Sequence, residues 1–173
     1  LVAGASDGIG EAFARQLAAA GINVVLVARR AAVLATLARE LREEHGIATR
    51  ELAVDLTADE VLPRLREGTD DIEVGLLVYN AGAAHGAAHF LDRPVEAALG
   101  LLALNCRGPV LLAHHYGSRM RERGRGGILL LSSLASMSGS AHIATYCATK
   151  SFDLMLAEGL WHELAPAGVD AMC

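Results

Sequence analysis

Cysteine is scarce in this sequence, and its spacing excludes several kinds of site. The 173 residues contain Cys106, Cys147 and Cys173, and no two of them have the C-x-x-C spacing. An odd number of cysteines without that spacing argues against a disulfide framework and against a cysteine-based zinc site. Since no secretory signal stands at the start of the sequence, we expect a reduced, cytoplasmic protein.

Positive charge and long apolar runs are also limited. The net charge is -5, and the one basic cluster, residues 119–125, is interrupted by Glu122, which argues against a nucleic-acid partner. No stretch approaches the ~20 uninterrupted apolar residues of a membrane span, so no membrane segment is expected. His85 and His89 are four residues apart, but no third ligand follows with metal spacing, so no metal site is expected.

Strand-like and helix-like segments alternate along the chain with short turns between them. The predicted strands are residues 1–5, 23–28, 49–54, 74–78 and 128–132, and the predicted helices are residues 11–20, 31–44, 58–66, 95–121 and 146–164. The strands are continuous apolar runs, which is typical of a parallel sheet covered on both faces. Repeated βα units therefore predict an α/β fold, a Rossmann-type doubly wound parallel sheet with helices on both faces.

The length predicts a single domain over residues 1–173, and both of its ends look cut. Residue 1 already lies inside an apolar run, and residues 168–173 look like a strand that has only just begun. We therefore expect an incomplete domain that lacks a C-terminal substrate-binding part. In its first helix, the helical spacing places Phe13, Leu17 and Ala20 on one side.

A glycine-rich turn between the first strand and the first helix indicates a dinucleotide. Gly4, Gly8 and Gly10 allow the backbone to approach a pyrophosphate, and the helix N-terminus supplies N–H groups to it. A glycine-rich turn without a ligand is the alternative. After the second strand stands Arg29, where an arginine accommodates a 2′-phosphate, so NADP(H) is preferred over NAD(H). The alternative is that Arg29 and Arg30 are surface charges that open a helix.

Tyrosine and lysine side chains suited to acid–base chemistry occur near the end of the sequence. Tyr146 and Lys150 are four apart at the start of a helix, so they lie about one turn apart on one face. A free tyrosine has a pKa of about 10, and a neighbouring ammonium favours its phenolate. Ser132 and Ser133 follow the fifth strand, where either hydroxyl is placed to donate to a developing alkoxide. Asn105 precedes Gly108-Pro109 in the long helix, where a distortion would free a backbone carbonyl for water.

Taken together, these motifs resemble those of the short-chain dehydrogenase/reductase family over essentially the whole chain. The shared motifs are Gly4-x-x-x-Gly8-x-Gly10, Asn80-Ala-Gly82, Asn105, Ser133 and Tyr146-x-x-x-Lys150, in the family order. The resemblance selects Ser133 over Ser132, because the family's catalytic serine stands thirteen positions before the tyrosine. Two positions depart from the family pattern, with Ala3 in place of its usual threonine and Tyr79 in place of an asparagine.

The resemblance implies a role for each of these residues. Tyr146 is the implied acid–base group, Lys150 stabilises its phenolate and anchors a ribose, Ser133 orients the carbonyl, and Asn105 holds a water of a proton relay. The implied cofactor-binding residues are Gly4, Ser6, Asp7, Gly8, Ile9, Gly10, Arg29, Asp55, Leu56, Asn80, Ala81, Gly82, Tyr146 and Lys150.

The sequence thus predicts an NADP(H)-dependent carbonyl reductase or alcohol dehydrogenase with an apolar small-molecule substrate. The segments around the glycine turn and residues 72–78 look like the branch of hydroxysteroid dehydrogenases and 3-oxoacyl-thioester reductases. A non-catalytic dinucleotide sensor and a nucleotide-sugar epimerase or dehydratase are the alternatives, and the glycine spacing disfavours the latter. Excess apolar residues on the helices at 95–121 and 146–164 predict a homodimer or homotetramer.

Overall fold

The computed structural model describes all 173 residues, Leu1 to Cys173. Its strands are β1 (Val2–Ala3), β2 (Val24–Ala28), β3 (Thr49–Ala53), β4 (Leu76–Tyr79), β5 (Gly126–Leu130) and β6 (Val169–Met172). Its helices are α1 (Gly8–Ala19), α2 (Ala31–His45), α3 (Val61–Thr69), α4 (Val95–Leu102), α5 (Gly108–Arg123) and α6 (Ala144–Leu164), with a π-helix at Ala103–Arg107. The six strands form one sheet in the order β3-β2-β1-β4-β5-β6, which confirms the predicted α/β doubly wound fold.

The chain divides into two compact units, Leu1–Ala81 and Gly82–Cys173. In the first unit, β1 pairs in parallel with both β2 and β4, and β2 pairs in parallel with β3. All five residues of β2 are buried, as its continuous apolar sequence predicts. In the second unit, β5 pairs in parallel with β6, and α6 packs on both strands. The single domain expected for residues 1–173 stays a prediction.

Several element bounds differ from the predicted ones, and each difference has a local cause. The first strand keeps only two paired residues, because the backbone turns at Gly4, whose φ is +85°. The first helix begins three residues early, at Gly8, since the end of the glycine turn is itself helical. The helix predicted at 58–66 is shifted to Val61–Thr69, and β5 ends at Leu130, before the serine pair.

The buried side of α1 is not the side that carries Phe13, Leu17 and Ala20. Its buried residues are Gly10, Ala14 and Ala18, whereas Phe13 and Leu17 are half-buried and Ala20 is exposed. These small residues recur every four positions, so the helix lies very close to the sheet. At Gly10 the approach is closest, because a Cβ there would overlap the carbonyl oxygen of Gly4 and lie 2.5 Å from Asn80 Nδ2.

The long helical segment Val95–Arg123 is continuous through the π-helix. Over its 29 residues an 18-residue window has a mean hydropathy of 1.4 with 28% of it buried, which is enough by length and composition to cross a membrane. Sequence reasoning missed this because polar residues interrupt the apolar run. One such helix is weak evidence for a span, since core helices pass the same test, and here α5 packs on β5.

We predict that Gly10→Ala lowers the free energy of unfolding by about 3 kcal/mol, because the added methyl group must displace the backbone at Gly4. Urea denaturation of the wild-type protein and of Gly10→Ala measures the difference in the free energy of unfolding. Gly75→Ala is the matched control, since a Cβ at Gly75 meets nothing within 4 Å, and its change should stay within about 0.5 kcal/mol. Equal stability of both variants would contradict the close approach of α1.

Candidate active site

In the first unit, the sequence-predicted cofactor residues meet at the carboxyl edge of four parallel strands. Gly4 follows β1, Arg29 follows β2, Asp55 and Leu56 lie just after β3, and Asn80 follows β4. The turn from Ser6 to Ile9 continues from Gly4 and enters α1. Because parallel strands end at one edge of a sheet, this clustering is a direct result of the topology.

Backbone and amide hydrogen bonds hold the glycine turn in place. The Gly4 N–H donates to Val27 O at 2.8 Å, and Asn80 Nδ2 donates to Gly4 O at 3.0 Å. Ala81 lies so close that a Cβ on Gly4 would be 2.7 Å from its backbone nitrogen. Asn80 therefore braces the turn through its side chain, which the motif alone did not specify.

The N-terminus of α1 keeps its N–H groups available. The cap residue Asp7 makes no side-chain hydrogen bond to the helix, and both Gly8 and Ile9 are exposed. Uncapped N–H groups and the positive end of the helix dipole together favour an anion. The turn therefore fits a pyrophosphate, since no side chain fills the space around Gly8.

The two arginines after β2 have different partners. Arg30 Nη2 donates to Ser6 O at 2.8 Å and contacts Asp7 Oδ2 at 3.3 Å, so Arg30 is engaged by the glycine turn. Arg29 is exposed and forms no hydrogen bond or ion pair. Sequence reasoning did not foresee the contact of Arg30, because it depends on how the turn folds back over the end of β2.

Asp55 is held in its ionised form beside the same edge. Hydrogen bonds from the Thr57 N–H (2.9 Å) and the Thr57 hydroxyl (2.7 Å) keep the pKa of the Asp55 carboxyl below its ordinary value, with a smaller contribution from the charge of Arg29. Both bonds go to Oδ1. The second carboxylate oxygen, Oδ2, is left as a hydrogen-bond acceptor.

In the second unit, α6 brings the predicted acid–base residues together. Tyr146 and Lys150 lie one turn apart in its first half, and Tyr146 is half-buried with a hydroxyl that forms no hydrogen bond in the protein. Lys150 is 5% exposed, and its ammonium donates to Leu131 O, just after β5, at 2.7 Å. A Cβ on Gly82 would lie 3.3 Å from Lys150 Nζ, so a larger residue there would crowd the ammonium.

Asp153 is the residue of the candidate site that sequence reasoning missed. Its Oδ2 lies 2.9 Å from Lys150 Nζ, both side chains are almost fully buried, and its Oδ1 has no hydrogen-bond partner. Burial raises the pKa of this carboxyl, against the opposing effect of Lys150. The available signal was the i,i+3 spacing on one helix face, since a charge in an apolar helix needs a partner.

The two serines after β5 are used differently. The Ser132 hydroxyl donates to the Lys150 carbonyl at 2.6 Å, so it is part of the scaffold under α6. Ser133 Oγ accepts an N–H from Ala135 at 3.2 Å, which leaves its own O–H to donate. The geometry therefore favours Ser133 as the carbonyl-binding serine.

Asn105 lies in the predicted distortion of the long helix, which is a π-helix. Its side chain is buried and clamps the backbone of Ala83, accepting from the N–H at 3.1 Å and donating to the carbonyl at 3.0 Å. It also donates to Thr149 Oγ1 at 3.0 Å, one residue before the lysine. Both amide hydrogens are thereby used, so the side chain has no hydrogen left to donate to a relay water.

Thiolate and metal chemistry find little support in this unit. All three cysteines are free, and burial raises the pKa of the Cys106 thiol to about 11, which keeps it protonated and a poor nucleophile. His85 and His89 do not form part of any group of three or more side chains that could hold a metal ion. Instead, the ring of His89 lies beside that of His142, with the ring centroids 4.4 Å apart and the planes tilted by 44°.

Known proteins are similar to this chain over almost its whole length. The family model described as short chain dehydrogenase matches residues 1–173. A very-long-chain 3-oxoacyl-CoA reductase of Aspergillus clavatus is 36% identical over 172 residues, covering 98% of this chain and 50% of that protein. A 7beta-hydroxysteroid dehydrogenase of Clostridium sardiniense is 34% identical over 172 residues, covering 99% of this chain and 66% of that protein.

A solved structure agrees with these sequences. The short-chain dehydrogenase from Sphingobium yanoikuyae in complex with NADPH superposes with a TM-score of 0.91 at 35% identity, covering 99% of this chain and 67% of that one. The present chain spans about half the length of several of the curated relatives that it matches. From its fold, its motifs and these matches, the chain belongs to the short-chain dehydrogenase family.

Proposed function

We propose that this protein is an NADP(H)-dependent oxidoreductase that interconverts a carbonyl compound and its alcohol. One observation carries the proposal. A tyrosine hydroxyl without a protein partner lies one helical turn before a buried lysine ammonium whose position is fixed by Leu131 and Asp153. A non-catalytic sensor needs neither group, so the geometry favours the enzyme.

The residues of the first unit fit a nicotinamide dinucleotide. When bound, such a cofactor supplies or accepts the hydride. The uncapped N–H groups at the start of α1 would hold its pyrophosphate, and Asp55 Oδ2 together with the backbone at Leu56 would contact its adenine. Asn80 keeps the turn open by bracing Gly4.

The residues of the second unit transfer the proton to the substrate. The Ser133 hydroxyl and the Tyr146 hydroxyl donate to the carbonyl oxygen of the substrate, and Tyr146 transfers its proton as negative charge develops there. Lys150 stabilises the phenolate that remains, because its ammonium is fixed on the same helix face. We assign Asn105 to a proton relay through its backbone carbonyl in the π-helix.

The preference for NADP(H) rests on Arg29. Arg30 is occupied by Ser6 and Asp7, whereas Arg29 is exposed and uncommitted at the end of β2, where a 2′-phosphate would lie. The NADPH complex of the Sphingobium yanoikuyae protein supports the same choice.

The proposed substrate class is supported by the relatives, and the proposed oligomeric state by exposed apolar side chains. The names of the relatives, a very-long-chain 3-oxoacyl-CoA reductase and a hydroxysteroid dehydrogenase, support an apolar small molecule. In the second unit, exposed apolar side chains on α4 to α6 support a homodimer or homotetramer; they are Val95, Leu99, Leu102, Val110, Met155 and Trp161.

Tyr146→Phe tests the acid–base assignment. We expect kcat for ketone reduction by the full-length protein to fall by about a hundredfold to ten-thousandfold, since the proton donor is lost while the ring is kept. Fluorescence titration should give an NADPH Kd within about twofold of wild type, because the hydroxyl is not needed to hold the turn-bound phosphates. Unchanged turnover in the variant would refute the mechanism.

Arg29→Ser tests the preference for NADP(H). Arg30→Ser, which also removes one positive charge, is the matched control. We expect Arg29→Ser to raise the Kd of NADPH by about 10- to 100-fold and to leave that of NADH nearly unchanged, since only the 2′-phosphate is affected. Arg30→Ser should affect both cofactors alike, because Arg30 contacts the turn. Equal losses for NADPH and NADH in Arg29→Ser would assign the phosphate to another residue.

A further inference from the structure

A pocket of about 230 Å³ in the second unit opens at the start of α6. Thr145, the residue before Tyr146, lies on its wall together with His142. The opposite wall is made by the segment after Gly82 and by the first turn of α4. No role assigned above uses this pocket, although its wall ends one residue from the proposed proton donor.

One side of the pocket is apolar. Phe90 and Leu91, which form a short 3₁₀-helix with Asp92, are 58% and 89% exposed, and Val95 and Ala98 continue the surface along α4. Large apolar side chains that remain this exposed beside a cavity favour contact with an apolar ligand.

The other side carries an unsatisfied cation. Arg93 lines the pocket, and its Nε is inaccessible to water and has no hydrogen-bond partner. The nearest acidic residues along the chain, Asp92 and Glu96, do not line the pocket and form no ion pair with it. A ligand in the pocket does not reach the inaccessible Nε, but a guanidinium group at the pocket wall without an acidic partner favours a ligand that brings a carboxylate.

The N-termini of two helices at the pocket also favour a negatively charged ligand. α4 begins at Val95 and α6 at Ala144, and neither helix has a side-chain cap. The first turn of α6 also contains no acidic residue. In the first turn of α4 the Ala97 N–H donates to Pro94 O and Glu96 adds a negative charge, so the start of α6 is the helix end that adds most to the field of Arg93, and both favour an anion in the pocket.

Local contacts hold the pocket walls together. The Ala88 N–H donates to His142 O at 3.1 Å, and the ring of His142 contacts that of His89 in a tilted arrangement. His142 has a φ of 68°, a left-handed backbone conformation that is uncommon for a residue other than glycine. The tie between these segments fixes the wall that carries His85 against the start of α6.

We infer that this pocket selects carbonyl substrates whose apolar body carries a carboxylate, with Arg93 as the partner of that carboxylate. The inference rests on the proposed function, because it places the substrate's carbonyl at Tyr146 and its acid end at Arg93. A volume of about 230 Å³ is below the range of sites for drug-sized ligands, so it suits a carboxylate with a few carbons and not a nucleotide-bearing carrier.

The test compares acids with their uncharged esters. The full-length protein and NADPH are assayed with phenyl ketones whose chain ends in a carboxylate two, three or four carbons from the carbonyl, and with the methyl ester of each. We expect wild type to prefer at least one acid over its ester by about tenfold in kcat/KM. Arg93→Gln should abolish that preference while it leaves ester reduction unchanged, and Arg93→Lys should keep part of it.

Arg121→Gln is the matched control, because it removes one positive charge from α5, away from the pocket. Its preference for the acid should equal that of wild type. Equal use of acid and ester by wild type would overturn the inference. So would equal losses on acid and ester in Arg93→Gln, since that result would indicate a structural role.

A binding measurement separates this inference from the proposed function. Calorimetry with the hydroxy acid and the hydroxy ester that correspond to each ketone reports binding without turnover. Tighter binding of the acid that depends on Arg93, in a protein that reduces none of the ketones, would keep the carboxylate site and refute the proposed reductase. No difference between acid and ester in binding would overturn the site whatever the activity.

Discussion

A lysine ammonium buried inside a protein has to be given partners, and the second unit is organised around that requirement. Lys150 is only 5% exposed, and an unpaired charge in such a place would cost several kcal/mol. The Leu131 carbonyl and the Asp153 carboxylate supply two partners. One of them is at the end of β5 and the other on α6, so the ammonium fixes helix and strand to each other.

Residues around Lys150 also form hydrogen bonds that hold its helix in place. Ser132 donates to the Lys150 carbonyl, and Asn105 reaches the helix through Thr149 while it clamps Ala83. These contacts use the Ser132 hydroxyl hydrogen and both amide hydrogens of Asn105, whereas the Ser133 and Tyr146 hydroxyls keep hydrogens to donate. A site that is rigid except for two available donors is what proton transfer to a carbonyl oxygen requires.

Much of the fold and of the site could be predicted from the sequence because it follows from local rules. Continuous apolar strands, a glycine-rich turn and a tyrosine one turn before a lysine each indicate a structure or a chemistry by themselves. What could not be predicted depends on tertiary packing. The pairing of Asp153 with Lys150 and the contact of Arg30 with Ser6 arise only when the elements are folded.

The short distance between α1 and the sheet explains which side of the helix is buried. Phe13, Leu17 and Ala20 share one side of α1, but the helix buries Gly10, Ala14 and Ala18 because it lies close to the sheet. Hydrophobic spacing alone favours the larger residues, since it does not register how near a helix comes. The glycine turn sets that distance, because Gly10 lies directly against Gly4.

Deuterium transfer is the most direct test of the central claim that this chain carries a hydride-transfer site. The full-length protein would be supplied with a ketone and NADPH deuterated on one or the other face of nicotinamide C4, and the alcohol would be analysed by mass spectrometry. We predict one deuterium on the carbinol carbon from one of the two labelled cofactors and none from the other. Alcohol without deuterium from either, or deuterium taken up only from heavy water, would contradict the account.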